Sequence, residues 1–300
     1  MNTPTKHLID IPPAELRELI LTDCHRLKRP KRSGILVAIF SRASTRTRAS
    51  VAAAAEIMGI GHVELPWNSF YGNPQTHPLA DSNIPAEIRS LAEIGAIALV
   101  ARVDDQHLLI RMSDESPIPI ISGATSIWHP LQGLTDLRVI SREWLTNSKL
   151  RLVFVGNGQG PVISSLLTIL THSGIHVTVV APEGYRPRQD VLEHTELRYY
   201  DFTTTLSGMD SADIIYTDEW FYRRLTEDEK VIFAPYRITE DLIHHYAPHA
   251  RIMHCLPFAS EIDPSLLYGA RSLVWQQARE RTETLVSVLE YLLSYDSKPD

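Results

Sequence analysis

Short apolar runs of strand length alternate with helix-like patterns along most of this chain. The run Ile35–Phe40 is followed by an alanine-rich stretch, 51–58, whose larger apolar residues fall on one helical face. Further apolar runs are predicted as strands at 61–65, 96–101 and 118–122, with helical patterns at 86–94 and 106–111 between them. Parallel strands need a crossover connection, which is usually a helix. The alternation therefore predicts an α/β fold with a parallel sheet.

A second series of apolar runs follows a change of sequence character at about residues 141–149. Its predicted strands are 152–155, 176–180, 213–217, 251–254 and 273–275. A chain of 300 residues is long enough for two domains of about 130–150 residues each. We therefore expect two α/β domains, residues 1–142 and 143–275, each a parallel sheet flanked by helices. A C-terminal helical segment, residues 276–300, follows them.

Charge and cysteine content argue against several classes of protein. The formal net charge is −7 and no long basic run occurs, which argues against nucleic-acid binding. The two cysteines, Cys24 and Cys255, are far apart and lack the spacing of metal ligands, so neither a disulfide framework nor a metal site is expected. The first ten residues are polar, and no apolar run approaches the roughly 20 residues of a membrane span. We expect a cytoplasmic protein without membrane association.

The turn after the first predicted strand is rich in arginine and hydroxyl groups. Residues 41–48 read Ser-Arg-Ala-Ser-Thr-Arg-Thr-Arg and open a helix. The start of a helix favours acidic residues, and each misplaced cation there costs roughly 0.3–1 kcal/mol. A bound anion would offset this cost, since Ser44 or Thr45 can cap the helix while backbone N–H and guanidinium groups bind phosphate oxygens. We interpret the turn as a phosphate site; a solvated basic helix start is the alternative.

Two more clusters follow the ends of predicted strands. Arg102 follows the 96–101 run, and His129-Pro130-Leu131-Gln132 follows the 118–122 run. Proline suits the first position of a helix, so His129 and Gln132 flank a second helix start. Open α/β sheets bind ligands beyond the C-terminal ends of their strands. We expect these residues to converge with Arg46 in one pocket, whereas the default interpretation of a His-Pro pair is a simple turn.

Arg281 shares the apolar face of the last predicted helix, residues 276–295. It lies three residues after Ala278 and four before Leu285, which are both on the inward face. A charge on an apolar face needs a partner. Two interpretations follow: a structural ion pair, or one side of a pocket for an anion or carbonyl group.

The glycine-rich residues 156–160 are similar to the phosphate-binding turn of dinucleotide-binding folds, because they join a predicted strand to a predicted helix. Glu183, at the end of the next strand, occupies the position of a ribose-binding acid. Pro161 follows, and the usual third glycine further along is missing, so the fingerprint is incomplete. A dinucleotide-dependent oxidoreductase is therefore a rival hypothesis.

Three motifs, in this order, resemble those of the aspartate/ornithine carbamoyltransferase family. Ser44-Thr45-Arg46-Thr47-Arg48 resembles the family's carbamoyl phosphate signature, and His129-Pro130-Leu131-Gln132 resembles its His-Pro-x-Gln motif. His254-Cys255-Leu256-Pro257 resembles the ornithine-type His-Cys-Leu-Pro motif. Arg102 and Arg281 fall at matching places, so the resemblance extends from about residue 36 to residue 293.

The resemblance implies a carbamoyltransferase whose first domain binds carbamoyl phosphate and whose second domain binds an amine. It implies a C-terminal helix that packs back on the first domain, and a homotrimer or a multiple of trimers with active sites between neighbouring subunits. The implied chemistry needs no metal and no redox cofactor, since fixed donors stabilise the charge that develops during transfer.

The resemblance also implies a role for each donor residue. The phosphate would be held by Ser44, Thr45, Arg46 and Thr47. Arg102 would bridge the phosphate and the carbonyl oxygen, His129 and Gln132 would orient the carbamoyl group, and Arg281 would complete the pocket. The residues that would act in catalysis are Arg46, Thr47, Arg102, His129 and Gln132.

The acceptor half departs from the patterns of both enzyme types. Ornithine-type enzymes carry asparagines in the turn that is 158–161 here, and a Ser-Met-Gly sequence where this chain has Phe-Tyr-Arg-Arg at 221–224. Aspartate-type enzymes use an arginine near Pro161 and a lysine in the loop 66–83, and both are absent here. The expected acceptor-binding residues are Asp218 for an ammonium group, Arg223 or Arg224 for a carboxylate, and Cys255 and Leu256 as a wall of the site.

We therefore expect an amino-acid-like or diamine acceptor, such as ornithine or another diamino acid, in a specialised pathway. Two alternatives remain. One is a non-catalytic family member that keeps the donor pocket as a sensor or a structural subunit, and the other is the oxidoreductase predicted from the glycine-rich turn. The intact arginine turn argues against the oxidoreductase.

Overall fold

The computed structural model describes residues 7–21, 33–68, 80–144, 150–221 and 225–295. The chain forms two compact units, one containing residues up to 134 together with residues from 280 onward, and the other containing residues 135–279. The predicted acceptor residues Arg223 and Arg224 lie outside the described residues. The domain boundaries predicted at residues 142 and 275 stay predictions.

The first unit is built on a parallel four-stranded sheet in the order β2-β1-β3-β4. Its strands are β1 (Ile35–Phe40), β2 (Gly61–Pro66), β3 (Ala96–Arg102) and β4 (Ile120–Ala124). The helices of this unit before and between the strands include α1 (Ala14–Leu21), α2 (Thr45–Met58), α3 (Ala80–Ile94) and α4 (Gln106–Asp114). The central strands β1 and β3 are almost completely buried, because a parallel sheet is covered on both faces, whereas the edge strand β2 is largely exposed.

The helix α5 (Pro130–Glu143) starts in the first unit and ends in the second, which is built on a parallel five-stranded sheet. The strand order is β7-β6-β5-β8-β9. The strands are β5 (Arg151–Val155), β6 (His176–Val180), β7 (Tyr200–Thr203), β8 (Ile214–Thr217) and β9 (Arg251–His254). The α-helices that follow α5 are α6 (Pro161–His172), α7 (Gln189–Leu192), α8 (Glu227–Phe233), α9 (Glu240–Tyr246), α10 (Pro264–Tyr268) and α11 (Val274–Tyr295).

Two parallel sheets flanked by helices confirm the predicted α/β class. The part of α11 from Glu280 onward belongs to the first unit, as the resemblance implied for the C-terminal helix. The predicted strands 176–180 and 251–254 coincide with β6 and β9. The apolar, strongly periodic segments were therefore the ones that sequence patterns located best.

One strand prediction in the second unit was wrong, and one strand was missed. The run 273–275 is not a strand, because α11 begins at Val274 and the Gln277 N–H donates to the Leu273 carbonyl at 2.9 Å. The strand that was missed is β7, an edge strand in which polar and apolar residues alternate and every residue keeps some exposure. The prediction looked for continuous apolar runs, which mark buried strands. An edge strand such as β7 is partly exposed to solvent and therefore also contains polar residues.

Two boundaries in the first unit also differ from the prediction. The strand predicted at 118–122 is β4, which lies two residues further along and therefore includes Gly123 and Ala124. The helix predicted at 86–94 is α3, which begins at Ala80 and contains Pro85 near its start. Proline near the start of a helix is tolerated better than in its middle, so Pro85 was a poor marker of the helix boundary.

Within the described ranges, no helix is long and apolar enough to cross a membrane. The same part of the chain contains no group of three or more His, Cys, Asp or Glu side chains that could hold a metal ion. Cys255 is half-buried and forms no disulfide within the described residues; Cys24 lies outside those residues.

A buried hydrogen-bond network joins four elements of the second unit. Asp136 on α5 accepts the Tyr216 hydroxyl at 2.9 Å and the Gln277 side-chain amide at 2.7 Å. The side-chain carbonyl of Gln277 accepts the backbone N–H of His254, at the end of β9, at 3.0 Å. Burial, together with the charge of Asp136, raises the pKa of Tyr216 well above its usual range, so Tyr216 stays a hydroxyl donor. Since buried polar groups are costly when unpaired, the network fixes the end of β9.

We expect Gln277→Leu to lower the free energy of unfolding by about 2–4 kcal/mol, because it leaves the His254 N–H unpaired and removes a donor from a buried carboxylate. Urea unfolding followed by circular dichroism measures the change. The control is Gln276→Leu, the same substitution at the preceding, partly exposed residue, which should change stability by less than about 0.5 kcal/mol. Equal losses in both variants would assign the effect to the helix start and not to the network.

Candidate active site

The arginine-rich turn connects β1 to α2 in the first unit. Ser44 lies at the N-cap position of α2, as predicted, but its side chain makes no capping hydrogen bond. The Ser44 hydroxyl instead accepts from Arg102 Nη1 at 3.2 Å. Thr45 is exposed at the first helical position, whereas Thr47 is 1 % exposed. The Ser44 hydroxyl therefore contacts the residue that ends the neighbouring strand β3.

The three arginines of this turn have different surroundings. Arg42 forms an ion pair with Asp104. Arg48 places Nε 3.1 Å from Glu64 Oε1 and its guanidinium group over the Phe40 ring, 5.0 Å from the centroid. Carboxylate groups of the protein therefore compensate the charges of Arg42 and Arg48. The sequence interpretation had expected a bound anion to compensate all three arginines of the turn. Arg46 is the residue of the turn whose charge acts on His129.

Arg102 ends β3 beside the turn. Its carbonyl oxygen accepts the backbone N–H of Ser41 at 2.9 Å and the Ser41 hydroxyl at 3.1 Å, which ties the ends of β1 and β3 together. Gly123 on β4 permits the close packing of this region, because a Cβ atom there would lie 3.2 Å from Arg102 Cβ and 3.5 Å from Thr47 Cγ2. The sequence pattern does not reveal this role of Gly123, because its neighbours depend on the pairing of β3 with β4.

Arg281 on α11 forms hydrogen bonds with three other residues that the sequence predicted for the carbamoyl phosphate site. Its Nη2 donates to Thr47 Oγ1 at 2.8 Å and to His129 Nε2 at 3.3 Å, and its Nη1 donates to Gln132 Oε1. Pro130 begins α5, as predicted, so His129 and Gln132 flank a helix start. Arg281 is only 6 % exposed. The structure therefore brings together the arginine turn, the His-Pro turn and the last helix.

His129 is neutral in this environment. Burial lowers its pKa well below the usual 6.5, and the charges of Arg281, Arg102 and Arg46 lower it further. A guanidinium group can only donate, so His129 Nε2 accepts and the ring proton resides on Nδ1. Three guanidinium charges around a neutral imidazole create a site that attracts an anion.

The predicted acceptor residue Asp218 follows β8 in the second unit and is 2 % exposed. Its pKa is raised well above the usual range by burial first, and then by the nearby charges of Glu261 and Glu219. An isolated buried carboxylate is costly to ionise, and a cation beside it removes much of that cost. Asp218 is therefore suited to an ammonium group.

Cys255 and Leu256 follow β9, and the register Thr217↔His254 places this loop next to Asp218 at the same edge of the sheet. His254 braces the loop, since its Nδ1 accepts the Leu256 N–H at 2.8 Å and its Nε2 lies 3.0 Å from Glu261 Oε1. This contact supports the left-handed backbone of Leu256, whose φ is 55°. Cys255 and Leu256 are both partly exposed.

Three backbone N–H groups of the glycine-rich turn, which would bind a dinucleotide pyrophosphate, already donate to other protein atoms. The Gly158 N–H donates to the Tyr185 carbonyl at 3.0 Å, and the Gly160 N–H donates to the Asn157 carbonyl at 3.4 Å. The Gln159 N–H donates to Asn157 Oδ1 at 3.0 Å. These internal hydrogen bonds occupy the groups that would hold phosphate oxygens, which argues against the oxidoreductase hypothesis.

The Glu183 carboxylate, the second feature of that hypothesis, is also engaged. Arg186 donates to it through Nε at 2.8 Å and through Nη2 at 3.2 Å. A bidentate pair of this kind uses the oxygens that would accept ribose hydroxyl groups. The position of Glu183 after β6 is therefore explained by a surface ion pair.

We expect His129 to remain neutral as the pH falls through 6.5 in phosphate-free buffer, which NMR titration of the imidazole ring measures. The unfolded chain takes up this proton near pH 6.5 and the folded chain only at lower pH, so His129 makes the protein less stable as the pH falls below that value. The stability advantage of the wild type over His129→Gln should therefore shrink between pH 7 and pH 5.5. An imidazolium spectrum for His129 at pH 6.5 would contradict this assignment.

Comparisons with known proteins agree with this geometry. Residues 8–142 match the family model described as "Aspartate/ornithine carbamoyltransferase, carbamoyl-P binding domain", and residues 148–292 match "Aspartate/ornithine carbamoyltransferase, Asp/Orn binding domain". The ornithine carbamoyltransferase of Methanothermobacter thermautotrophicus is 31% identical over 274 residues, which cover 87% of this chain and 88% of that protein. The ornithine carbamoyltransferase of Nostoc sp. is 29% identical over 300 residues and covers 95% of each chain.

The fold gives the same result as the sequence comparison. The structure of ornithine carbamoyltransferase from Pyrococcus furiosus superimposes with a TM-score of 0.86 at 27% identity, covering 97% of this chain and 99% of that one. These findings confirm the resemblance that the three motifs indicated. The chain belongs to the aspartate/ornithine carbamoyltransferase family of enzymes.

Proposed function

We propose that this protein transfers the carbamoyl group of carbamoyl phosphate to the amine of an amino-acid-like acceptor and releases phosphate. The observation that carries the proposal is the cluster of Arg46, Arg102 and Arg281 around the neutral side chain of His129. Three guanidinium charges that act on one buried site attract an anion such as a phosphate dianion. The family model for this part of the chain is named for carbamoyl phosphate, which supports the choice of anion.

The donor residues divide between the two ends of carbamoyl phosphate. At the phosphate end, the start of α2 contributes backbone N–H groups, the guanidinium group of Arg46 and the hydroxyl groups of Ser44, Thr45 and Thr47. At the carbonyl end, Arg102, His129, Gln132 and Arg281 supply donors. His129 and Gln132 already lie side by side at the start of α5, because Arg281 binds both of them.

The transfer itself needs charge stabilisation more than a protein base. The acceptor nitrogen forms a bond to the carbamoyl carbon, negative charge grows on the carbonyl oxygen, and the bond from that carbon to the phosphate oxygen then breaks. The leaving phosphate accepts the proton that the amine loses. Fixed donors aimed at the carbonyl oxygen typically contribute about 10²–10³ in rate each. The neutral His129 ring has one donor, the Nδ1 N–H, and the guanidinium groups supply the positive charge.

The acceptor is proposed to bind through its charged groups in the second domain. Asp218 would pair with an ammonium group, Cys255 and Leu256 would form a wall, and Arg223 or Arg224 would bind a carboxylate. The raised pKa of Asp218 supports this assignment, because a cationic ligand favours the ionised carboxylate. Ornithine is the first acceptor to test, since the relatives named above are ornithine carbamoyltransferases. The trimeric assembly stays a prediction, which light scattering checks.

Incubation with carbamoyl phosphate and a panel of amines tests the proposed activity. We expect a new ureido product from ornithine or another diamino acid, detected by mass spectrometry, and thermal stabilisation by carbamoyl phosphate and by inorganic phosphate. NAD should not stabilise the protein. Donor binding without any product from the panel would favour a non-catalytic sensor, and stabilisation by NAD alone would overturn the carbamoyl phosphate assignment.

We expect Arg46→Ala to abolish stabilisation by phosphate and to lower kcat/KM by at least about 10²-fold, because it removes a charge aimed at the donor. For the wild type, ligand at 100 times its Kd should add about 2.7 kcal/mol of stability. Arg42→Ala is the matched control, since Arg42 belongs to the same turn but pairs with Asp104. Normal turnover by Arg46→Ala, or equal losses in both variants, would contradict the assigned role.

A further inference from the structure

Thr125 closes the short loop that leads from β4 to His129 in the first unit. Its backbone N–H donates to the Trp128 carbonyl at 2.8 Å. Its hydroxyl oxygen accepts the backbone N–H of Trp128 at 3.0 Å and that of Ile127 at 3.2 Å. His129 follows directly, and α5 begins at the next residue. Thr125 therefore fixes both backbone polar groups of the residue that precedes His129.

The proton of the Thr125 hydroxyl binds a second element of the unit. The hydroxyl donates to Oε1 of Gln106, the first residue of α4, at 2.8 Å. Thr125 is 4 % exposed and Gln106 is 7 % exposed, so solvent is poorly placed to replace this hydrogen bond. A hydroxyl group has one proton and two lone pairs. The contacts with Gln106 and with the two backbone N–H groups therefore use its full capacity.

A backbone hydrogen bond joins the same two segments of the chain. The Ser126 N–H donates to the carbonyl oxygen of Asp104 at 2.9 Å. Asp104 and Gln106 both lie just after β3, which ends at Arg102. The segment that follows Arg102 thus holds the segment that precedes His129. These contacts restrain the position of one proposed carbonyl donor relative to the other.

The loop begins from a backbone conformation that needs support. Ala124, the last residue of β4, has a φ of 153°, a value that residues other than glycine rarely adopt. Such conformations persist where the surrounding structure over-determines them. The hydrogen bonds of the next residue, Thr125, provide this support, because they fix the chain on the far side of the strained residue.

Resting on the proposed function, we infer that Thr125 and Gln106 are positioning residues that act on carbamoyl transfer through His129. They hold the backbone before His129 so that its ring reaches the carbonyl end of the donor together with Arg102. Fixed donors stabilise developing charge without having to reorganise during the reaction. A misplacement of about 1 Å can lower a rate by about 10²-fold. The effect of both residues is therefore on the chemical step and not on the binding of phosphate.

Thr125→Val removes the hydroxyl group and nearly keeps the shape of the side chain. We expect it to lower kcat for formation of the ureido product by about 10- to 100-fold. The Kd of inorganic phosphate should stay near the wild-type value, because Arg46 and the start of α2 are unchanged. Thr125→Ser keeps the hydroxyl and should restore most of kcat. Unchanged kcat in Thr125→Val would overturn the inference.

Thr168→Val is the matched control. Thr168 is completely buried, and its hydroxyl donates to the carbonyl oxygens of Ser164 and Ser165 in its own helix, α6. The substitution therefore removes a buried hydroxyl without touching the loop before His129, and kcat should not change. Equal losses of kcat in Thr168→Val and Thr125→Val would assign the effect to a general loss of packing and overturn the inference.

A double variant separates an effect through His129 from an independent one. His129→Ala alone should lower kcat, and adding Thr125→Val should cause no further loss, since residues that act as a unit give non-additive effects. Additive losses would overturn the inference. Gln106→Met removes the acceptor of the hydroxyl proton but leaves the loop hydrogen bonds of Thr125 in place. It should show the same pattern with a smaller loss, and it replaces Thr125→Val if circular dichroism shows that Thr125→Val does not fold.

NMR of the His129 ring separates this inference from the proposed reaction. We expect Thr125→Val to shift the imidazole signals of His129 in the presence of inorganic phosphate, and Thr168→Val to leave them unchanged. If no amine is carbamoylated but this shift occurs, the proposed reaction fails and the positioning role stands. If turnover occurs and Thr125→Val keeps the wild-type kcat, the positioning role fails and the reaction stands. Absence of turnover together with unshifted His129 signals overturns both.

Discussion

One guanidinium group holds together three of the residues that are proposed to bind carbamoyl phosphate. Arg281 donates to Thr47, His129 and Gln132, which come from two different helix starts. Because the arginine is almost completely buried, these hydrogen bonds replace the water that the charge would otherwise require. The planar, forked shape of the guanidinium group suits it to several acceptors at once. The geometry proposed for catalysis therefore depends on Arg281, which is far in the sequence from Thr47, His129 and Gln132.

This arrangement places three guanidinium charges around one imidazole ring. Arg46 and Arg102 add to the charge of Arg281, and all three lower the pKa of His129. Two neighbouring arginines, Arg42 and Arg48, have carboxylate partners. The same turn thus contains cations that stabilise the fold and a cation that is proposed to bind the donor.

In the second unit, several buried polar side chains are hydrogen-bonded to one another. Asp136, Tyr216 and Gln277 fix the end of β9, and the contact between His254 and Leu256 sets the path of the loop that follows. Asp218 lies at the same edge of the sheet but lacks a comparable set of partners within the described residues. A buried carboxylate in this state is expensive unless a ligand supplies the missing charge. The proposed acceptor site therefore contains a buried carboxylate, Asp218, whose charge a cationic ligand would compensate.

The sequence by itself determined the α/β class, the family and the donor motifs, because apolar periodicity and contiguous motifs are local properties of the chain. It located β6 and β9 correctly, yet it missed β7, since an edge strand shows alternation and not a continuous apolar run. It assigned a capping role to Ser44 or Thr45, whereas in the tertiary structure the Ser44 hydroxyl accepts a hydrogen bond from Arg102 and does not cap the helix. Only the tertiary structure decided that Arg42 and Arg48 have carboxylate partners and why Gly123 is small. Each of these depends on distances between residues far apart in the sequence, and a local pattern contains no information about such distances.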